Sequence, residues 1–325
     1  MSFRNLKRLV TGDRLQDPLL VLDIQQKSFG PDKECTVLTL GNASGSIESA
    51  PFWGTDQQQV AGIEKGHVVQ VIGEVGQYRG RRQLTVTSIR VLPKESVDRR
   101  ALLPSVGAVE PYWKTLDDWR TAIEGPRLRA TLDLFFEDAD FRKRFEECPA
   151  SISGHHAALG GLLKHVCEVA HIAREIGRTC RADRDLLVAG ALLHDIGKLE
   201  SYAWEGIFTY TDAGRLLGHV ALGAMMLERR LAAETSPPCS PEGVVLLQHM
   251  ILSHHGKLEF GAAVPPMTLE AEILHYADNA SAKAASMSGA LADPENFTGD
   301  EPMSARSIWQ IDRRRAYRGT VDWCS

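Results

Sequence analysis

The chain has 325 residues, 43% of them apolar and 24% charged, with a formal net charge of −5 at pH 7. That length and apolar share predict two folded domains and exclude a disordered or fibrous chain. Residues 1–110 carry 14 Lys and Arg against 12 Asp and Glu, and the remainder 23 against 30; so weak an asymmetry does not demonstrate nucleic-acid binding, and any polyanion contact is local and better suited to the N-terminal part.

The N-terminus, Met1-Ser2-Phe3-Arg4-Asn5-Leu6-Lys7, lacks the apolar run of a signal peptide, and no later stretch reaches membrane-spanning length. Cys35, Cys148, Cys167, Cys180, Cys239 and Cys324 are scattered without a Cys-x-x-Cys pair. Reduced thiols in a cytoplasmic protein with no membrane association are therefore expected.

From Pro18 to about Leu92 the pattern predicts short strands. Leu20, Leu22 and Ile24 alternate with Val21, Asp23 and Gln25; Thr36-Val37-Leu38-Thr39-Leu40 is β-branched and apolar; Ser46 to Trp53 follows the turn Asn42-Ala43-Ser44-Gly45. A short polar helix, Gln57 to Ile63, precedes Val68 to Ile72, and the turn at Tyr78-Arg79-Gly80-Arg81-Arg82 leads into Leu84 to Val91. Five strands with one helix before the fourth outline a small closed barrel. The runs Ser44-Gly45-Ser46-Ile47, Gly66-His67-Val68-Val69-Gln70-Val71-Ile72-Gly73 and Tyr78-Arg79-Gly80-Arg81-Arg82-Gln83-Leu84, with Trp53 between the first two, resemble an OB fold of the nucleic-acid-binding type. Asn42 and Ser44 stand where that family usually has Asp and Thr, and both side chains can make the same turn bonds. Such barrels bind single strands by stacking bases on aromatics beside basic groups. Trp53, Tyr78, Arg79, Arg81 and Arg82 are the expected contacts, although a core Trp and a solvated basic hairpin are the ordinary alternatives.

Pro93 to Pro111 has three prolines and no periodicity, so 93–111 is expected to be a linker. Beyond it the chain turns helical, with amphipathic pieces at Leu116–Ile123, Leu128–Phe136, Phe141–Phe145 and Leu162–Ile176, and at most a hairpin over 206–211. The expected layout is a barrel domain over 1–92, a helical domain over 112–285, and a polar C-terminal extension over 286–325 that carries Arg313-Arg314-Arg315 and wraps the surface.

Inward-facing histidines and aspartates recur through the helical part. His165 shares a stripe with Leu162, Val169, Ile172 and Ile176, whereas His171 falls off it. The apolar run Leu186–Leu193 delivers His194 and Asp195 together at its end, before Gly197 breaks the pattern. His219 lines up with Leu216, Leu222 and Met226; the helix Val244–Leu252 ends in Ser253-His254-His255-Gly256; and Asp278 lies one turn beyond Leu274. A single inward His is commonly a satisfied core residue. Five helices each burying a polar group toward one interior is costly unless a divalent cation compensates them.

The order H…HD…H…HH…D resembles the HD superfamily of metal-dependent phosphohydrolases. His155-His156-Ala157-Ala158-Leu159-Gly160-Gly161-Leu162-Leu163-Lys164-His165, the His194–Lys198 run, Gly218-His219, and the stretch from His249 through Pro265-Pro266-Met267-Thr268 to Asp278-Asn279 are similar to the YhaM-like 3'-5' exoribonucleases, which join an OB fold to an HD domain. The resemblance thus covers nearly the whole chain and implies a multidomain fold, a small all-β OB barrel followed by an all-α HD domain. It further implies release of 5'-mononucleotides from the 3' end of single-stranded RNA, and sometimes DNA, with manganese as the favoured divalent metal and iron, cobalt or nickel as alternatives.

Carried over residue by residue, it implies one cation held by His165, His194, Asp195 and Asp278, and a second by Asp195, His219, His254 and His255. Such a pair would clamp the scissile phosphate and activate water; a single cation per chain is the simpler version. Asp195 and Lys198 are the expected catalytic residues, with Lys198 neutralising a phosphate oxygen or, more plainly, serving as a cation at a helix C-terminus. His155 and His156 are expected substrate contacts, and His249 and His275 outer supports. Relatives usually carry a second Asp three residues after the ligand Asp; here that position is Ser281. Related enzymes suggest a homo-oligomer. The rival readings are an HD-type nucleotide or cyclic-dinucleotide phosphohydrolase and a non-catalytic single-strand-binding protein.

Overall fold

Alternating apolar side chains bend the N-terminal part into a barrel. In the computed structural model, which describes residues 3–30, 34–154 and 156–321, β1 (Arg14–Ser28), β2 (Glu34–Asn42), β3 (Gly45–Ser49), β4 (Phe52–Trp53), β5 (Val68–Tyr78) and β6 (Arg81–Val91) form one sheet in the order β1-β5-β6-β3-β2-β4. A β1–β2 pairing closes the ring. β3 runs parallel to β6 at Glu48–Gln83 and Ser49–Leu84, and the other neighbours are antiparallel. The two-residue β4 is an appendage on β2, so five strands make the closed barrel, which removes the free edges that a flat sheet would expose. Along β5, Val69, Val71 and Val75 enter the core while Ile72 and Glu74 face outward.

The strands run longer than the alternation predicts: β1 begins at Arg14 and β5 continues to Tyr78. The expected helix at Gln57–Ile63 is instead a 3-10 segment, Gly54–Val60. Much of the expected linker is folded. Arg99–Leu102 makes a 3-10 turn against β1 and β2, with Leu102 and Leu103 buried. This unit extends to Ser105 and includes Trp204–Ile207.

The second unit is helical, with ten α-helices among the described residues: α1 (Glu110–Thr121), α2 (Pro126–Phe136), α3 (Ala139–Glu147), α4 (Gly161–Cys180), α5 (Arg184–Leu193), α6 (Lys198–Ser201), α7 (Asp212–Leu216), α8 (Gly218–Ala232), α9 (Pro241–Ser253) and α10 (Leu269–Ala292). A two-strand hairpin, β7 (Tyr202–Ala203) with β8 (Thr209–Tyr210), follows α6. Side-chain caps start half of the helices: Asp138, Asp183, Thr211, Ser240 and Thr268 each accept from a backbone N–H of the first turn. α4 is the central helix and packs against α5 and α10. Phe135 and Phe136 of α2 and Phe141 and Phe145 of α3 make edge-on and stacked contacts at 5.4–5.7 Å.

One predicted helix is broken. Gly218 adopts φ +75°, so α7 ends at Leu216 and α8 starts afresh. Leu216 is 83% exposed and is not on the stripe of His219, Leu222 and Met226. The C-terminal stretch does not simply wrap the surface. Phe297, Ile308, Ile311 and Ala316 bury against Ala290, with Met287 and Leu291, at the end of α10, and Lys283 holds both carboxylate oxygens of Asp312 at 2.7 Å. Cys35, Cys148, Cys167, Cys180 and Cys239 are free thiols; Cys324 lies outside the described residues. No described helix is long and apolar enough to cross a membrane.

Candidate metal centre

The same local device delivers two of the histidines. α5 and α9 both stop abruptly, and the next residue, His194 or His254, turns its imidazole back along the helix. Nδ1 of each meets a carbonyl three residues earlier, Ala191 O and Ile251 O, both at 2.7 Å. A helix C-terminus leaves carbonyls without partners, and a carbonyl only accepts. Each Nδ1 therefore carries the proton, and each Nε2 presents a lone pair to the interior.

Around those lone pairs the remaining side chains converge. His165 Nε2 is 3.0 Å from Asp278 Oδ1 and 3.5 Å from Asp195 Oδ2; His194 Nε2 is 3.3 Å from Asp195 Oδ2 and 4.0 Å from Asp278 Oδ1. The other oxygen of Asp195 faces the other way: Oδ1 is 3.3 Å from His219 Nε2 and 3.7 Å from His254 Nε2. Ligand atoms of His165, His194 and Asp195 lie within 4.8 Å of one another, as do those of His219, His254 and His255. The two sets are joined through the two oxygens of Asp195. His255 closes the second set, its ring centroid 5.0 Å from that of His219.

Electrostatics ask for a cation here. Asp195 and Asp278 bring two negative charges, and the one Lys among these groups is Lys198, buried with its Nζ 2.5 Å from Asp195 Oδ2. Burial would raise the Asp195 carboxyl, but the Lys198 ammonium and then His194 hold it well below the usual range. Burial drives the His219 imidazole down to about 3 and, with His255 and His194, takes His254 well below its ordinary value. It lowers His165 and His255 too. In His194 burial is outweighed by Asp195 and then Asp278, and its pKa rises. Mostly neutral imidazoles around carboxylates in net negative surroundings are the donor set a divalent metal takes up.

Unsatisfied atoms agree: His194 Nε2, Asp195 Oδ1, His219 Nε2, His254 Nε2 and His255 Nδ1 are buried without a hydrogen-bond partner among the described residues, which is costly unless something binds them. The spacing fits an ion. Donor atoms at right angles on an octahedral cation with bonds of about 2.1 Å lie roughly 3.0 Å apart, and opposite ones roughly 4.2 Å. The first set shows 3.0, 3.3 and 3.5 Å, with 4.0 Å for His194 and Asp278.

Lys198 departs from its expected place as a phosphate contact. It is nearly inaccessible, and its ammonium is spent on Asp195, whose negative charge in turn raises the Lys198 pKa against burial. His156 Nε2 sits 2.8 Å from Glu168 Oε2; His155 lies outside the described residues. Around the ligands, His275 Nδ1 meets the His254 carbonyl at 3.0 Å and His249 Nε2 accepts from Met267 N–H at 2.9 Å.

Two residues behind His165 were not marked by the sequence as carriers of function. Glu168 lies one helical turn beyond His165 on the same face of α4, and Ser281 bridges the two: Oγ is 3.0 Å from His165 Nδ1 and 2.9 Å from Glu168 Oε2. Burial would raise the Glu168 carboxyl, but His156, Ser281 and Lys164 hold it down to about 2. The i, i+3 spacing was the available signal; the link through α10 was not.

On the barrel, Trp53 is 44% exposed and so is not core. Its ring lies 5.6 Å from that of Phe29, itself 65% exposed, a neighbour missed in the sequence because it stands alone in a polar loop. Tyr78 is exposed with the Arg79 guanidinium 5.3 Å from its ring centre, and Arg81 is exposed. Arg82 has a different task. Its Nη1 donates to the carbonyls of Leu6 and Leu9 at 2.7 and 2.9 Å, tying the N-terminal segment to β6.

Fold and site together define the class: an OB-like barrel followed by an HD-type, metal-dependent phosphohydrolase domain. Residues 162–283, the span from α4 into α10, match the HD domain family. Relatives named 3'-5' exoribonuclease YhaM match almost end to end. The protein of Bacillus subtilis is 33% identical over 95% of this chain and 96% of its own, that of Bacillus licheniformis 34% over 94% and 95%, and that of Geobacillus sp. 31% over 94% and 92%. The chain belongs to the YhaM family of 3'-5' exoribonucleases.

Proposed function

We propose that the chain shortens single-stranded RNA from its 3' end, releasing 5'-mononucleotides, with its seven converging His and Asp side chains as the catalytic metal centre. The reading rests chiefly on Asp195, whose two oxygens face different imidazole sets. His165, His194, Asp195 and Asp278 would hold one divalent cation, and Asp195, His219, His254 and His255 a second, with manganese the favoured ion. When bound, the cations supply Lewis-acid activation of water and neutralise charge at the scissile phosphate. The residues of the chain do the rest. His194 and His254 keep their Nε2 lone pairs inward through their carbonyl bonds, and Lys198 keeps Asp195 ionised and fixed. Trp53, Phe29 and Tyr78, with Arg79 and Arg81, hold unpaired bases and backbone on the barrel. The matching of relatives named exoribonucleases over both units does not favour a nucleotide hydrolase or a non-catalytic binding protein. The reading places the protein in the cytoplasm, with RNA.

The test is incubation with 3'-labelled and 5'-labelled single-stranded RNA and DNA in manganese. A 5' label should pass through a ladder of stepwise shorter products, a 3' label should appear at once as mononucleotide, and Asp195→Asn should abolish both. Internal cleavage, or an Asp195→Asn protein as active as wild type, would sink the proposal.

A further inference from the structure

His165 differs from the other inward histidines in where it sits. His194 and His254 follow the ends of helices and use free main-chain carbonyls to fix their rings. His165 lies in the first turns of the 20-residue α4, where the carbonyls one turn back are engaged by helical N–H groups. Its Nδ1 needs a side-chain acceptor, and it meets Ser281 Oγ from α10 at 3.0 Å.

The direction of that bond follows from counting protons. A serine hydroxyl has one hydrogen, and an ionised carboxylate has none. Ser281 Oγ lies 2.9 Å from Glu168 Oε2, so the hydroxyl hydrogen goes to Glu168 and Oγ is left to accept. His165 Nδ1 must then be the donor, and Nε2 must carry the lone pair. The neighbours of Nε2 are Asp278 Oδ1 at 3.0 Å and Asp195 Oδ2 at 3.5 Å. A lone pair facing two carboxylate oxygens is repulsive unless a cation lies between them. In the opposite tautomer the same nitrogen would donate to Asp278, and the site would close on itself without an ion.

We propose that Ser281 and Glu168 are positioning residues that act as a hydroxyl-relayed carboxylate behind His165, fixing the tautomer that makes the first site demand a metal. The proposal rests on the metal-centre reading above. Glu168 reaches His165 from the same helix, and Ser281, only 2% exposed, ties α10 to that arrangement three residues beyond Asp278. His156 Nε2, 2.8 Å from Glu168 Oε2, anchors the outer end of the chain of bonds. Carboxylates behind ligating histidines are general supports of metal affinity; here the serine carries the link, its Oγ within hydrogen-bond distance of both His165 Nδ1 and Glu168 Oε2.

The test uses metal-stripped full-length protein with Ser281→Ala and, to remove the acceptor at similar volume in a half-buried position, Glu168→Met, which leaves no side-chain oxygen for the Ser281 hydroxyl. Manganese is titrated in and free ion followed by electron paramagnetic resonance, while nitrogen spectra of ring-labelled histidine report the protonated nitrogen of His165 in the metal-free state. Each variant should weaken one class of manganese site by about 10- to 100-fold, leave the other unchanged, and move the His165 proton from Nδ1 toward Nε2. Wild-type affinity with the proton still on Nδ1 overturns the proposal. So does lost affinity with an unmoved proton, because the effect is then a packing defect. If wild-type protein binds no manganese yet the proton moves in both variants, the metal reading fails and the relay stands.

Discussion

The proposed RNA contact of the barrel can be tested by single substitutions at Trp53 and Phe29. Two large rings 5.6 Å apart and tilted by 45° stand exposed at 44% and 65%. Stacking of a base on an aromatic contributes about 1–3 kcal/mol, roughly a 5- to 150-fold change in affinity. Trp53→Ala should therefore weaken binding of a fluorescent single-stranded RNA by that factor, measured by anisotropy without metal so that no substrate is consumed. Phe29→Ala should act in the same direction, and the double variant should lose less than the sum, since one stack serves both. Unchanged affinity in both single variants would remove the barrel's aromatic role. Arg82 belongs to a different account: its bonds to Leu6 and Leu9 carbonyls mean that its loss is felt in the N-terminal segment first.

Between elements, the placement of His219 depends on how closely the turn after α5 approaches α8. Gly197 has ordinary helical dihedrals, so it is there for space and not to break a helix. A Cβ at this position would lie 2.0 Å from the His219 carbonyl and 2.4 Å from Gly223 N, both backbone atoms that cannot rotate away. Gly197→Ala must push α8 off the His-Asp turn, at a cost typical of overpacking, about 1–3 kcal/mol or more. Urea unfolding should show the lower stability, and manganese titration should show the His219 set impaired with the His165 set retained. A protein with wild-type midpoint and both sites intact would mean that the turn yields without cost.

The same two elements mark what the sequence could disclose. The apolar run of α5 ending in His194-Asp195 was legible because helical period and chain position coincide. The alignment of His219 with Leu216 was not, because one glycine at φ +75° resets the helix phase. Ser281 was visible only as an apparent loss of a carboxylate, since its partner Glu168 lies 113 residues away in the chain, and residue spacing carries no information about such contacts. The folded turn at Arg99–Leu102 was hidden by flanking prolines and charge, which describe loop composition and not whether Leu102 and Leu103 find a core.

Over the whole molecule, every proposed ligand belongs to the helical unit and none to the barrel. A cation in the first set would tie together α4, the turn after α5 and α10, and one in the second set the turn after α5, the first turn of α8 and the turn after α9, so an opening that separates those elements must first release the ion they share. Binding to the folded state alone stabilises by RT ln(1 + [L]/Kd), about 2.7 kcal/mol at a hundredfold excess over Kd, or roughly a hundredfold in the population of the opened state. Amide exchange should respond accordingly on adding manganese to metal-stripped protein. Amides in α4, α5 and α10 that exchange through such openings should slow by up to about a hundredfold, and a chelator should reverse the effect. Opening β1–β6 breaks none of those ligand contacts, and barrel amides should exchange at their earlier rate. Equal slowing in both units would mean that the ion is bound elsewhere than by the His and Asp set, while slowing confined to α8 and α9 would leave only the His219, His254 and His255 site filled.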